Sequence, residues 1–107
     1  MGRLSGWVVL LALCTVPMGA GAQEVGSAKE GLALARGRCA SCHAVEREQT
    51  VSPNLVAPTF KEIAGTPGMT ATALSAALQT SHHSMPNLIL KPDEIDNITA
   101  YILSLKP

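Results

Sequence analysis

Apolar residues recur at three- and four-residue spacing near the carboxyl end of this 107-residue chain, at Ile95, Ile98, Ile102 and Leu105, which predicts a helix with one buried side. Pro92 suits its first position, where a missing amide hydrogen costs nothing, and Asp93 and Glu94 complement the positive helix start. Upstream, Thr70 caps a segment in which Leu74, Ala77 and Leu78 share a face. A short helical turn over 60–64, around Phe60, is ended by Gly65 and Pro67. Nearer the amino end, Ser27 followed by Glu30 has the form of a capping box, and residues 28–37 are built of good helix formers. The stretch 46–58 reads as loop, because Pro53 and Pro58 lack amide hydrogens and restrict the residues before them. A second loop spans 81–90. With no alternating strand pattern and no internal repeat, the expected fold class is all-α.

The first 22 residues read as an address rather than as part of the fold. Arg3 supplies a positive start, residues 7–16 form a short apolar run, and Ala20-Gly21-Ala22 is a small-residue cleavage site. Cleavage after Ala22 is expected, which makes 1–22 a secretory signal peptide and 23–107 a single domain. The apolar run is too short to span a bilayer, which takes about 20 residues, and Pro17 and Gly19 interrupt it; the rival is an uncleaved anchor. Cys14 lies inside this leader behind Leu13, which does not suit a lipoprotein anchor. The mature chain then keeps Cys39 and Cys42 as its cysteines.

Cys39-Ala40-Ser41-Cys42-His43 is the sequence with the most chemistry in it, since C-x-x-C-H is the attachment pattern for a covalent haem. On a helical segment both sulfurs and the imidazole project to one side, so the thiols can form thioethers with one porphyrin while His43 takes an axial position on its iron. A thioredoxin-like couple would want a βαβ setting, and the flanks are rich in Ala, Leu and Arg instead. A structural zinc site needs four ligands, and no second C-x-x-C exists. A plain disulfide leaves His43 unexplained. In an oxidising compartment, expected here to be the periplasm, an unused thiol pair would oxidise; haem attachment uses it.

Composition sharpens this reading. The 85 residues left after cleavage contain no Trp, one Phe (Phe60) and one Tyr (Tyr101), few large groups with which to build a core. A buried macrocycle would supply the missing apolar volume, and the haem-free chain is expected to be largely unfolded. Tyr101 is expected to pack in the core with its hydroxyl at the surface. Without Arg3 there are seven Lys and Arg against eight Asp and Glu, with no basic stripe, so nucleic-acid binding has no support. Near-balanced charge fits transient docking with redox donor and acceptor proteins rather than strong electrostatic steering.

A second axial ligand decides whether a haem passes electrons or binds small molecules. Candidates are Met69, Met85, His82 and His83. Met69 precedes a helical segment and can simply fill a gap. Met85 is favoured, because it sits in an extended loop, His-His-Ser-Met-Pro-Asn, where Pro86 leaves few conformations to lose on binding. His82 and His83 read as solvated residues, or as groups whose titration near neutral pH could tune the potential.

These residues together resemble the bacterial class I c-type cytochromes. The resemblance runs through Gly31 and Leu34, Cys39-Ala40-Ser41-Cys42-His43, Ala57-Pro58-Thr59-Phe60, Ser84-Met85-Pro86-Asn87 and the ending Ile98-Thr99-Ala100-Tyr101-Ile102-Leu103-Ser104-Leu105. It implies a small helical domain wrapped around one haem c, with thioethers from Cys39 and Cys42 and with iron held by His43 and Met85. It implies further that a proline carbonyl, that of Pro58 or failing that Pro53, accepts the Nδ1 hydrogen of His43. Gly31 is expected opposite Tyr101 where the first and last helices cross, and Leu34, where an aromatic residue is common in such proteins, implies a looser crossing. The function implied is one-electron transport without bond chemistry at the metal, an electron carrier rather than an enzyme. The alternatives are a permanently bound subunit of a dehydrogenase or oxidase, and a peroxidatic or gas-binding haem with an open sixth site.

Overall fold

The computed structural model describes residues 25–80 and 84–107, together with the isolated positions Gly2 and Cys14. The leader expected over 1–22, apart from those two positions, and the loop histidines His82 and His83 lie outside the described residues. Among those described there are four helices and no strand: α1 (Ala28–Arg38), α2 (Phe60–Gly65), α3 (Ala71–Leu78) and α4 (Pro92–Ser104).

α4 is the element on which the others pack. Its Ile95, Ile98, Tyr101 and Ile102 are buried, with Leu105 just beyond it, and they meet Ala35 of α1, Val45, Phe60 and Ala64 of the α2 region, and Leu74 of α3. α1 makes the most extensive contact with α4. It can do so because Gly31 carries no side chain: a Cβ there would stand 2.0 Å from the Asn97 carbonyl oxygen and 2.7 Å from Cβ of Tyr101. The crossing is therefore a backbone-on-backbone contact. Leu34 is half-buried and packs against the same core. Gly26 repeats the device one turn earlier, with φ +91° and a would-be Cβ 2.2 Å from the Asp96 carbonyl oxygen.

Ser27 caps α1 by accepting the Glu30 amide at 3.3 Å, but the expected reciprocal half of the box is made elsewhere. The Ser27 amide donates to Asn97 Oδ1 at 2.8 Å, so α4 rather than Glu30 supplies that partner and the helix start is tied to the crossing. α2 has the complete local box: Thr59 Oγ1 accepts the Glu62 amide at 3.0 Å, and the Glu62 carboxylate accepts the Thr59 amide at 2.7 Å. Thr70 caps α3 through the Ala73 amide at 3.1 Å. The α4 start is closed by the Glu94 carboxylate, which accepts the Lys91 amide at 2.8 Å.

The Tyr101 hydroxyl corrects the expectation of a surface position. Tyr101 is 6% exposed, and its hydroxyl donates to the Val45 carbonyl inside the protein. A buried phenol needs a partner, and the chain following the C-x-x-C-H turn presents one.

Candidate functional site

α1 stops at Arg38, and the C-x-x-C-H sequence lies in the turn that follows it rather than on a continuous helix. The Ala35 carbonyl accepts from both the Cys39 amide at 2.8 Å and the Ala40 amide at 3.0 Å, which ends the regular ladder. One further turn is then closed by the Cys39 carbonyl, which accepts from the Cys42 amide at 3.1 Å and the His43 amide at 2.9 Å. This α-turn keeps the two sulfurs and the imidazole together, which is what the helical reading required. Cys39 and Cys42 are both half-buried free thiols, and Cys39 packs against the core. Burial pushes the Cys39 thiol up from its ordinary range, only partly offset by the charge of Arg38.

The long loop after the motif folds back onto it. The Ala44 amide donates to the buried Ser52 Oγ at 3.0 Å, the Asn54 amide to the Cys42 carbonyl at 3.1 Å, and the Phe60 amide to the Ala44 carbonyl at 2.9 Å. These bonds bring Pro58 to His43, whose Nδ1 lies 2.6 Å from the Pro58 carbonyl oxygen. A carbonyl can only accept, so Nδ1 carries the hydrogen and Nε2 keeps the lone pair for a metal. The ring also packs on Phe60, with centroids 5.5 Å apart at 52°, and Phe60 in turn meets Tyr101 at 6.3 Å. The imidazole thus packs on Phe60, which in turn meets Tyr101 of the α1–α4 crossing. Pro53 lies exposed within the loop.

Met85 comes from a different part of the chain. It lines a cleft of about 300 Å³ with Ala77 and Leu78 of α3, Leu88 and Leu90 of its own loop and Ile95 of α4; Cys39, Cys42, His43 and Pro58 are not on that wall. Ser84, immediately before it, has φ +65°, a left-handed conformation that a serine adopts at some cost. Pro86 follows, so the backbone of Met85 is confined on both sides. Met69 packs half-buried against the core, and its carbonyl accepts from Lys106 Nζ at 2.7 Å. That is a gap-filling position. Among the described residues no three His, Cys, Asp or Glu side chains converge as a metal cluster.

The donor chemistry fits a covalently held haem: two free thiols one turn apart, an imidazole with Nε2 available, and a thioether on a wall of mixed polar and apolar residues. The family model for cytochrome c matches residues 28–106. The chain belongs to the cytochrome c family. Cytochrome c-552 of Bradyrhizobium diazoefficiens (strain JCM 10833 / BCRC 13528 / IAM 13628 / NBRC 14792 / USDA 110) is 36% identical over 105 residues, which cover 98% of this chain and 97% of that one. No solved structure matches significantly. As a cytochrome c the chain is a haem c electron carrier, with iron in its cofactor and Cys39, Cys42 and His43 forming its C-x-x-C-H motif. Its exchange partners are redox proteins. No helix among the described residues is long and apolar enough to cross a membrane.

The loop hydrogen bonds were the part of the site that residue patterns missed. Ser52 is an ordinary loop serine in sequence, and nothing in its neighbours marks it as the buried acceptor for Ala44.

Proposed function

We propose that the protein is a periplasmic one-electron carrier, exported by a signal peptide over 1–22 and functioning as the mature domain 23–107. In this reading Cys39 and Cys42 would hold the haem as thioethers, and His43 and Met85 would be the side chains that ligate its iron. The bound haem c supplies an iron that cycles between ferric and ferrous states. The chain's own residues do the rest. The Pro58 carbonyl holds the Nδ1 hydrogen of His43, fixes the ring orientation and raises the basicity of Nε2. Phe60 and Tyr101 pack behind the imidazole and limit its movement. Met85, a neutral donor, favours the reduced state relative to a second histidine. Neither ligand needs to leave, so little reorganises on electron transfer and no substrate bond is made or broken. Donor and acceptor proteins dock transiently at the exposed haem edge, over an interface at the small end of the known range.

The observation that carries this reading is the 2.6 Å approach of His43 Nδ1 to Pro58 inside the turn that also holds both cysteines. Absorption spectra of mature protein in both oxidation states test it. The ferric form should show the weak near-infrared sulfur-to-iron band. Met85→Ala should abolish that band and Met69→Ala should keep it. Pigment released into acidified organic solvent would overturn the thioethers, and a band surviving Met85→Ala would overturn the ligand.

A further inference from the structure

We propose that Glu62 is a positioning residue for His43, acting across the single peptide group that joins Pro58 to Thr59. This rests on the electron-carrier reading above, in which His43 ligates the iron, and adds a residue that sets how strongly it does so. The carbonyl and the amide of that peptide belong to one planar, conjugated unit. Its oxygen accepts from His43 Nδ1 at 2.6 Å, and its N–H donates to the Glu62 carboxylate at 2.7 Å. Carboxylate, peptide and imidazole therefore form one continuous chain of hydrogen bonds.

Such a chain is polarised from its charged end. An anion accepting the Thr59 hydrogen raises the electron density on that nitrogen, and amide resonance passes part of it to the Pro58 oxygen, which becomes a stronger acceptor. The Nδ1 hydrogen of His43 is then held more tightly, the ring gains anionic character, and Nε2 becomes a better donor to a metal. A carbonyl without the carboxylate behind it does less. Because a stronger donor favours the ferric state, the Glu62 charge lowers the midpoint potential.

The fold fixes each part of this chain in advance. Glu62 is the third residue of α2, and Thr59 Oγ1 accepts its amide at 3.0 Å, so both halves of the capping box set where the carboxylate stands. Thr59 is buried, and the Phe60 amide just beyond it donates to the Ala44 carbonyl at 2.9 Å, which ties this strand of the loop to the residue after His43. The two bonds with Thr59 hold the Glu62 carboxyl below its ordinary value, so it is charged at neutral pH. The start of α4 supplies the comparison. There the Glu94 carboxylate accepts the Lys91 amide at 2.8 Å in the same way, but the peptide it polarises is not the one that His43 reaches.

Redox titration of the mature holoprotein in about 1 M salt tests this, since exposed charges are screened there beyond about 3 Å whereas a hydrogen-bonded chain is not. Glu62→Gln keeps an acceptor for the Thr59 amide and removes the charge. Its midpoint potential should rise by about 30 mV, a roughly threefold change in the ferric-to-ferrous ratio converted at about 59 mV per tenfold for one electron. Glu62→Ala removes the acceptor as well and should raise it further. In the ferrous protein the proton resonance of His43 Nδ1–H should move upfield in the same order, as its hydrogen bond weakens. Glu94→Gln takes an equal charge from an equivalent cap and should leave the potential and that resonance unchanged. An unmoved potential in Glu62→Gln, or an equal rise in Glu94→Gln, would overturn the proposal and leave Glu62 as a helix cap alone. Failure of the carrier reading would show differently, as the lack of a one-electron wave in the unaltered protein.

Discussion

The main-chain oxygen of Asn97 in α4 lies 2.0 Å from the point where a Cβ would stand on Gly31 in α1. No rotamer can relieve that overlap, because the obstacle is backbone and Asn97 is also fixed by its bond to the Ser27 amide. Gly31→Ala must push the helices apart along the most extensive contact in the fold, and should cost about 3 kcal/mol. Gly37, in the same helix, has nothing within 4 Å of its would-be Cβ. Gly37→Ala should therefore stabilise by about 0.5–1 kcal/mol through helix propensity alone. Denaturant midpoints of the two variants, moving in opposite directions, check the geometry of the crossing.

Tyr101 and Val45 give the second prediction. The phenol donates to a buried carbonyl, so Tyr101→Phe leaves that oxygen without its partner and should cost about 1–2 kcal/mol. Burial, with a smaller contribution from the Glu46 charge, raises the Tyr101 phenol above its ordinary value of 10.0. The unfolded chain then loses its proton first as pH rises, so stability from this group is complete below about pH 10 and declines above it. Chemical denaturation across the alkaline range should show the decline in the wild type and a flatter profile in Tyr101→Phe.

The elements themselves were largely legible in the residues. The Ile95, Ile98, Ile102, Leu105 stripe is a strong helical period, and Thr70 and Pro92 mark starts by chemistry that acts within one turn, whereas the Thr59 cap of α2 emerged with the structure. What could not be read locally was every bond that closes over a long stretch of chain. The Ser27 amide goes to Asn97, 70 residues away, and the Tyr101 hydroxyl to Val45, 56 away. Sequence spacing proposes the nearby Glu30 for the first and the solvent for the second, and tertiary packing overrides both. The C-x-x-C-H turn shows the same limit: residue types name the chemistry, whereas the end of α1 at Arg38 follows from how the Ala35 carbonyl is shared.

The α2 capping box makes an acid-sensitive joint next to His43. Two hydrogen bonds with Thr59, the stronger from its amide, hold the Glu62 carboxyl below its ordinary value of 4.5. Protonation in the unfolded chain therefore precedes that in the folded one as pH falls. The contribution is complete above the ordinary value and is lost as pH drops through the lowered one. Thr59→Ala should cost about 1 kcal/mol at neutral pH, and Glu62→Gln should remove the acid-dependent part while keeping one acceptor. Because Thr59 adjoins Pro58, line positions of the His43 ring protons in Thr59→Ala should shift as well, reporting whether the cap also steadies that carbonyl.

Cofactor removal tests whether this chain can fold on its own side chains. Among the described residues three of the eleven buried hydrophobic ones are alanines, Ala35, Ala44 and Ala64, and Phe60 and Tyr101 are the large aromatic members. A domain of about 85 residues ordinarily sits near the limit at which one core offsets chain entropy. Two features make this one leaner still: the cysteines and Met85 are only partly buried, and the cleft beside Met85 has Leu78, Leu88 and Leu90 on its walls together with Gln79, Thr80 and Asn87. Those walls gain contact only when a large apolar group lies against them. Cys39→Ser/Cys42→Ser, made without haem attachment, should therefore show no cooperative thermal transition and reduced helical circular dichroism. A sharp, native-like melt would mean that the α1–α4 crossing alone supplies enough stability, and that the haem is a passenger in a fold already complete.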